Sequence, residues 1–502
     1  MADTQHVLPR CSSHRNHIRI WIQVFVFKMM FGFISEMSSM NDGQYIYHFV
    51  KEQLLKNSVQ NNATSLAANM TMNNGNCQNG NTSSTSVEGR VQSETTTINQ
   101  YSEMTSSGIS VFVLILLGPL TDKVGRKPLL IWNVTMLLIG MTIRTAVVFN
   151  SLNVYLVLIT SAFTGLSGTH YAYDLASSGI MADTTTKNKQ RSFVMILYNS
   201  AGSIGFLIAQ IATGYLIHYF GYISQYIICA VILLILDISI IVLLKEEKRK
   251  TFDKCGTICS ISKKSQIWSL VTDKEIGDRK HIFSWLLVFT FFMFAVTAYV
   301  PLQNLYQLGS PFCWDSERIG WYGASLSLVQ GLIGPLVIAL LQLCLPDEII
   351  LQFGYLSTIV CFAIYGIASH TWMLYTIVGI GVIRYSPMTL IKAILSRKVH
   401  PDKQGVLFSN MALVDSVVRV AGVAAFSGIY KQTRPILKGM VFLFMGGLSL
   451  VSALMAIFCT NIYGIDPHQR ERKDSSVSDQ EIHEEEKENT NNDKINIQYS
   501  FE

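Results

Sequence analysis

Blocks of about 20 apolar residues, the length of helix that crosses the hydrocarbon core of a bilayer, recur along the chain between residues 18 and 460. Inside that core every backbone amide must be hydrogen-bonded within the protein, so each block is predicted to be a helix. Only 15% of the 502 residues are charged, well below the roughly 25% of soluble domains. The sequence therefore predicts an all-α membrane protein that lies in the lipid bilayer and crosses it many times.

Twelve candidate spans fall into two groups of six. The first group covers 18–40, 107–121, 128–149, 153–180, 192–218 and 222–244. The second group covers 282–304, 319–343, 349–369, 372–395, 406–428 and 438–460. We therefore expect two six-helix bundles, residues 18–244 and 282–461, joined by a charged linker at 245–281.

Lysine and arginine in the short loops set the orientation, because cytosolic loops carry the excess of these residues. One face collects Lys123, Arg126, Lys127, Lys187, Lys189, Arg191, the linker, Arg397, Lys398 and Lys403. That face is predicted to be cytosolic, and the linker with it. Both termini, residues 1–17 and the acidic tail 462–502, are then cytosolic as well.

The opposite face has one long segment, residues 41–106, rich in Asn, Ser, Thr and Gly. This composition predicts a disordered external loop. Three N-x-S/T sequons lie within it, at Asn62, Asn69 and Asn81. Their predicted external position makes all three candidate glycosylation sites.

Several function classes are disfavoured by the sequence. No basic run is interleaved with aromatic residues, so nucleic acid is not an expected partner. The C-x3-C pair of Cys255 and Cys259 has no histidine or second pair nearby, and a metal site is not predicted. We find no nucleotide-binding motif and no catalytic constellation. Gradient-driven transport without a cofactor is therefore favoured over an enzyme or an ATP-driven pump.

The segment between the second and third spans is Gly118-Pro-Leu-Thr-Asp122-Lys-Val-Gly125-Arg126-Lys127. Glycine lets the chain reverse within a few residues and lets helices approach closely. Asp122 can accept hydrogen bonds from backbone amides at a helix start. The segment resembles the G-x-L-x-D-x-x-G-R-K signature of the major facilitator superfamily. The resemblance implies a cytosolic latch between the two halves that holds the outward-open state.

Four further segments are similar to those of solute carrier family 46, the family of the proton-coupled folate transporter. They are Ala182-Asp183 with Arg191-Ser-Phe193, Ser310-Pro-Phe-Cys313-Trp314-Asp315, Ile391-Lys392-Ala-Ile-Leu-Ser396 and Gln404-Gly405-Val-Leu-Phe-Ser409. This similarity implies transport of a small organic anion, such as a folate, a muropeptide or a cyclic dinucleotide, with proton coupling. It also implies a disulfide bond between Cys77 and Cys313.

Some positions depart from that family. The proton-coupling glutamate of the fifth span corresponds to Asn199 here, and the tenth-span arginine corresponds to Lys392. Lysine keeps the charge but lacks the planar fork that suits a carboxylate. These departures leave the coupling residue and the substrate open.

Ionisable residues inside the spans are costly and usually face a cavity or a partner. The cations are Lys28, Arg144, Arg384, Lys392 and Arg419, and the anions are Glu36, Asp174, Asp237 and Asp415. The deep positions hold more cations than anions, which favours a negatively charged substrate near the midplane.

Three pairs of these residues are candidates for the substrate and proton pathway. Arg384 and Lys392 lie two turns apart on a helix predicted to be broken, where they could contact an anion or extend to the interface. Asp174 and His170 are four residues apart and could carry a proton or bond neighbouring helices. Asp415 and Arg419 are also four apart and could pair directly, for structure or for transport.

Two rival functions remain open. One is a non-transporting receptor or adaptor with the carrier fold, and the other is a carrier of neutral solutes. Charged residues inside the spans argue against both. No sorting signal is found, so the plasma membrane is expected, with the lysosomal membrane as the alternative. The sequence does not specify an oligomeric state.

Overall fold

The computed structural model describes residues 10–61, 82–184, 188–244, 279–399 and 404–463. These residues are almost entirely helical and include no strand, which agrees with the all-α prediction. The helices form twelve consecutive spans, six on each side of the linker. The linker itself, 245–278, lies outside the described residues, as do residues 1–9 and the tail from 464.

The first six spans are Arg10–Asn61, Thr82–Val124, Arg126–Phe149, Val157–Leu166 with Thr169–Asp183, and Asn188–Leu243, which holds the fifth and sixth. Gly221 interrupts that last helix with φ 72° and ψ −178°. The fourth span is broken at Gly168, whose φ of 79° is left-handed. The second and third spans are separated by Gly125 alone, with φ 103° and ψ 169°.

The seventh span is Arg279–Val296 with Tyr299–Leu308. The eighth runs from Ser316–Leu328 through a π-helical turn, Val329–Ile333, into Gly334–Cys344. The ninth is Asp347–Ile367, and the eleventh and twelfth are Gln404–Thr433 and Met440–Tyr463. The tenth span is broken as predicted: Thr371–Ile380 is followed by a 3-10 turn at Gly381–Ile383 and by Ser386–Lys398.

Hydropathy accounts for most of these spans but not all. Within the described residues, nine helical stretches are long and apolar enough to cross a membrane. One of them, Leu197–Leu243, covers the fifth span and the sixth. The fourth span, which Gly168 divides into helices of 10 and 15 residues, is not among them. The second span is apolar only in its C-terminal part.

The prediction that residues 41–106 form a disordered loop is wrong over most of this segment. The first helix continues to Asn61 and the second begins at Thr82. Polar residues of both extensions are buried, including Asn41, Gln44, Gln92 and Thr95. Their polarity therefore belongs to packed and cavity-lining surfaces rather than to a solvated loop. Residues 62–81, with Asn62, Asn69 and Asn81, lie outside the described residues.

Each half has its own hydrophobic core. One cluster is built almost wholly from the first six spans, from Val24 to Leu244. Two others are built almost wholly from the second six, around Tyr365 and around Phe289, although Met40 of the first span joins the former. Separate cores allow each half to move as a rigid unit against the other.

The halves meet tightly at their predicted external ends. Backbone of the fifth span touches backbone of the eighth, and a Cβ added at Gly320 would come 2.6 Å from the Gln210 carbonyl oxygen. Glu88 of the second span pairs with Arg434, at 3.0 Å, and accepts from the Ser310 amide, at 2.7 Å. We call the contact among Glu88, Arg434 and Ser310 the external lock.

Candidate substrate pathway between the two halves

A cavity of about 550 Å³ lies between the halves. Spans one to four supply most of its wall. The second half contributes a short stretch that includes Pro301 and Asn304, together with Arg419. Its ionisable lining residues are Lys28, Glu36, Asp42, Glu103, Arg144, His170, Asp174 and Arg419. The volume falls within the range of cavities that hold drug-sized molecules.

Lys28 and Asp174 form an ion pair in this wall. The Lys28 ammonium lies 2.5 Å from Asp174 Oδ1, and the Tyr198 hydroxyl donates to the same oxygen at 2.9 Å. The Lys28 ammonium also lies 5.1 Å from the centre of the Tyr198 ring. Lys28 is only 8% exposed, so its charge depends on Asp174 for compensation.

A second pair joins Arg144 of the third span to Asp42 of the first. The Tyr226 hydroxyl donates to the other Asp42 oxygen at 2.7 Å. Arg144 is 8% exposed, and its Nε has no hydrogen-bond partner. Asp42 was not identified from the sequence because it lay inside the predicted loop. Asp42 would have been identified if the first helix had been predicted to continue past residue 40, because it would then have counted as an ionisable residue inside a span.

The charge balance of the cavity differs from the sequence expectation. Four carboxylates line it, Glu36, Asp42, Glu103 and Asp174, against three lysine and arginine side chains. The expectation that cations outnumber anions is therefore wrong for the residues that line the cavity. Glu103, like Asp42, fell within the segment predicted to be disordered. Counting charges only within the predicted spans missed both acids.

Tyr171, which also lines the cavity, faces two charged residues of the eleventh span. Asp415 and Arg419 both lie close enough to interact electrostatically with Tyr171. Within the described residues, however, no ion pair within 4 Å joins Asp415 to Arg419, so their predicted direct pairing is wrong. The His170 ring lies 4.0 Å from the Tyr171 ring. The Lys392 ammonium lies 5.6 Å from the centre of the Phe289 ring and interacts electrostatically with Asp415 and Asp174.

Arg384 occupies a different place, inside the second half. It is fully buried, and its guanidinium stacks on the Tyr299 ring at 3.7 Å. The rings of Phe362 and Tyr385 lie 5.2 Å and 5.0 Å away. Its Nε and Nη1 have no hydrogen-bond partner, and no carboxylate of the described residues pairs with it. Arg384 therefore does not share a site with Lys392 in this conformation.

The structure thus brings together His170, Asp174 and Arg419, with Asp415 and Lys392 nearby. Asn199 does not belong to this group, because it is exposed and does not line the cavity. Tyr171 and Tyr198, which contact the charged residues, were not predicted, because tyrosine is also common in apolar cores.

The motif segment makes contacts inside the first half. Lys127 donates to the carbonyl oxygens of Ile241 and Leu244, at 2.8 and 2.7 Å, at the end of the sixth span. The Arg126 guanidinium lies against Gly179 of the fourth span. Gly118 and Asp122 fall within the second helix, and the Asp122 side chain lies outside the described part. The latch between halves stays a prediction.

Cys313 is disulfide-bonded, whereas Cys77 lies outside the described residues. The pairing of these two cysteines also stays a prediction. Among the described residues, no group of His, Cys, Asp and Glu could hold a metal ion.

The Major Facilitator Superfamily sequence model matches residues 96–425, more than half of the chain. The chain belongs to this superfamily, and it is a membrane transporter rather than an enzyme.

Two curated relatives narrow the comparison. The chain is 27% identical to the proton-coupled folate transporter of Rattus norvegicus, over 82% of this chain and 86% of the relative. It is 26% identical to the lysosomal proton-coupled steroid conjugate and bile acid symporter SLC46A3 of Mus musculus, over 61% of this chain and 67% of the relative. The predicted resemblance to solute carrier family 46 is confirmed.

Solved transporters share the fold. The human organic anion transporter MFSD10 superposes with a TM-score of 0.55 at 15% identity, over 88% of this chain and 99% of that one. The nucleoside transporter NupG gives 0.60 at 12% identity, with the same coverage. The predicted major facilitator fold is confirmed.

Proposed function

We propose that this chain is a secondary-active carrier that couples transport of a small organic anion to protons by alternating access. The observation that carries the proposal is the ion pair between Lys28 and Asp174 in the wall of the cavity, at 2.5 Å. Both residues line the space between the halves, so they can contact a solute there.

Protonation of Asp174 would neutralise the only carboxylate paired with Lys28 among the described residues. A buried cation without a counter-charge is unfavourable, and an anionic group of the substrate can relieve it. Proton and anion would then enter the cavity together. His170 lies on the same helix one turn away and within electrostatic reach of Asp174.

The closed external lock supports an inward-facing conformation. In the opposite conformation Glu88 and Arg434 would separate, and the motif segment would join the halves on the cytosolic side. Such rocking of two six-helix units about a central site is the mechanism of this class of transporter.

The names of the relatives supply further support. One is a proton-coupled folate transporter and another is a proton-coupled steroid conjugate and bile acid symporter. Folates, steroid conjugates and bile acids are organic anions. We propose the plasma membrane as the location, with the lysosomal membrane as the alternative, because one relative is named lysosomal. Surface biotinylation of the tagged full chain distinguishes the two.

The coupling role of Asp174 is tested with Asp174→Asn. We expect the variant to lose the stimulation of anion uptake by external acid, because residue 174 can no longer bind and release a proton. Anion exchange at symmetric pH should persist. The control is Glu94→Gln, an exposed acid on the second span. Unchanged pH dependence in Asp174→Asn would show that another group couples the proton.

A further inference from the structure

A row of oxygen atoms leads from Asp174 into the interior of the first half. The Tyr198 hydroxyl lies 2.9 Å from Asp174 Oδ1 and is also hydrogen-bonded to the Ser177 hydroxyl. The Ser177 hydroxyl in turn lies 2.7 Å from the carbonyl oxygen of Tyr173. We call the Tyr198 hydroxyl, the Ser177 hydroxyl and the Tyr173 carbonyl the hydroxyl row. Tyr198 and Ser177 are buried and do not line the cavity, whereas the Asp174 side chain is 42% exposed and does.

The hydroxyl row offers three positions for a hydrogen atom. They lie between Asp174 and Tyr198, between Tyr198 and Ser177, and between Ser177 and the Tyr173 carbonyl. A hydroxyl group carries a single hydrogen and can donate a single hydrogen bond, and an ionised carboxylate can only accept. When Asp174 is ionised, Tyr198 and Ser177 together supply two hydrogens for these three contacts. The row is then one hydrogen short.

The missing hydrogen falls at the far end of the row when Asp174 is ionised. A hydrogen bond to a carboxylate is roughly twice as strong as one between neutral groups, so Tyr198 donates to Asp174. Ser177 then donates to Tyr198, because otherwise no hydrogen would lie between those two oxygens. The Tyr173 carbonyl loses little, since it still accepts from the backbone amide four residues further along the helix.

A proton on Asp174 completes the row. The carboxyl group can then donate from Oδ1 to the Tyr198 oxygen, Tyr198 donates to Ser177, and Ser177 donates to the Tyr173 carbonyl. Each hydroxyl keeps its own hydrogen and only turns toward its other neighbour. The same two hydroxyl groups therefore serve both protonation states of Asp174, through opposite directions of donation.

We infer that Tyr198 and Ser177 are positioning residues that set the pH at which Asp174 binds its proton. Tyr198 favours the ionised carboxylate, because it donates to it. Ser177 favours the protonated carboxyl, because it accepts from Tyr198 once that hydroxyl has turned. The inference rests on the proposed function, in which Asp174 is the coupling group, and names the residues that tune this group.

Other charged and titratable groups also face Asp174. Lys28 of the first span pairs with it at 2.5 Å. His170 and Tyr173 of its own span and Lys392 of the tenth lie within electrostatic reach. These groups are the same whichever hydroxyl group is removed. Their charges therefore give no reason for two such removals to act in opposite directions.

The hydroxyl groups are removed one at a time, as Tyr198→Phe and Ser177→Ala, in the full chain reconstituted in liposomes. Infrared difference spectra follow the carboxyl C=O band that is absent from Asp174→Asn. We expect Tyr198→Phe to raise the midpoint of this band by about one pH unit, because the carboxylate loses a donor. We expect Ser177→Ala to lower it by roughly half a pH unit, because the turned Tyr198 hydroxyl has no acceptor.

The second half offers a matched pair of hydroxyl groups without a carboxylate. The hydroxyl groups of Tyr355 and Ser452 lie 2.8 Å apart, and Ser452 donates to the Val288 carbonyl at 3.0 Å. Both residues are buried. Tyr355→Phe and Ser452→Ala should leave the Asp174 midpoint unchanged. Thermal unfolding shows whether each variant is folded, and if Tyr198→Phe is not, the downward shift in Ser177→Ala still tests the inference.

Shifts of the two variants in the same direction would overturn the inference. So would the absence of any shift, an equal shift in the control variants, or a titrating band that persists unchanged in Asp174→Asn. The spectra need no substrate, so they separate this inference from the proposed function. Opposite shifts together with acid-stimulated anion uptake that survives in Asp174→Asn would support the hydroxyl row and reject Asp174 as the coupling group.

Discussion

At the scale of single residues, Arg384 is the clearest case of a charge without a counter-charge. Three aromatic rings surround its guanidinium, at 3.7 to 5.2 Å from their centres. Such contacts contribute roughly 2 kcal/mol when desolvated, which offsets only part of the cost of burying a charge. Arg384 would therefore be stabilised by any conformation in which an anion reaches it.

This expectation is tested with Arg384→Met. Methionine fills a similar volume without the charge, so we expect the free energy of unfolding to stay within about 2 kcal/mol of the wild-type value. Stabilisation by the transported anion should be weaker, because any contact of the anion with Arg384 is removed. Thermal unfolding in detergent, with and without anion, measures both quantities. Tyr385→Phe, which removes a weak acceptor at 3.4 Å, is the control.

A large loss of stability in Arg384→Met, with anion-dependent stabilisation retained in the surviving protein, would assign Arg384 a purely structural role.

Residue spacing predicted some of this chemistry but not all. The four-residue interval placed His170 and Asp174 on one helix face, and both line the cavity. The same interval did not make Asp415 and Arg419 a pair, because Tyr171 of another helix lies beside both. Contacts between helices decide such pairings, and spacing within one helix does not contain that information.

At the scale of elements, the break in the fourth span directs Asp174 and His170 toward the cavity. Gly168 adopts φ 79°, and a Cβ there would come 2.6 Å from the Ala172 Cβ. The next residue, Thr169, also has a left-handed φ, of 55°. A substitution at Gly168 should therefore disturb both the backbone and the site that follows it.

We expect Gly168→Ala to lower the free energy of unfolding by about 1–2 kcal/mol, the cost of a left-handed conformation for an alanine, with a further contribution from the clash. The matched control is Gly108→Ala, where the added Cβ meets nothing within 4 Å. That substitution should be neutral or stabilising by roughly 0.5–1 kcal/mol. Equal midpoints in thermal unfolding of the two variants would contradict this account of the break.

The external lock makes a separate prediction. Glu88→Gln or Arg434→Gln should favour opening at the external end, because the side chains of this pair are only 17% and 15% exposed and little screened. If the Glu88–Arg434 interaction contributes about 1 kcal/mol, its loss should increase the population that is open at the external end roughly fivefold. The measurement is labelling of Asn304→Cys, in the cavity wall, by a membrane-impermeant thiol reagent.

Charge reversal at both positions should restore the slow labelling. Arg318→Gln, which breaks a solvent-exposed pair with Asp315, is the control and should have no effect. Unchanged labelling in both single variants would show that the backbone contact between the fifth and eighth spans closes this end alone.

Element boundaries show where sequence reasoning fails. The apolar blocks predicted the spans well from the third onward, because hydropathy dominates there. The first helix continues 21 residues past its predicted end at 40, and the second begins 25 residues before its predicted start at 107. Each extension runs through polar sequence and has about the length of a further bilayer crossing. Residues such as Asp42 and Glu103 are polar because they line a cavity, and composition cannot distinguish this from disorder.

At the scale of the whole molecule, two helical units with separate cores enclose a charged cavity and close it at one end. The twelve spans and the superfamily could be predicted from the apolar blocks and the segment from Gly118 to Lys127. The arrangement of charges across the interface could not, because it depends on how the units are packed. That arrangement carries the proposed coupling.

One measurement tests the central claim most directly. The purified chain is reconstituted in proteoliposomes with an alkaline lumen, and a folate, muramyl dipeptide and a cyclic dinucleotide are supplied outside. We predict that at least one of these anions accumulates above its external concentration, and that a protonophore abolishes the accumulation. Absence of accumulation for all three, or accumulation that survives collapse of the pH gradient, would contradict proton-coupled anion transport.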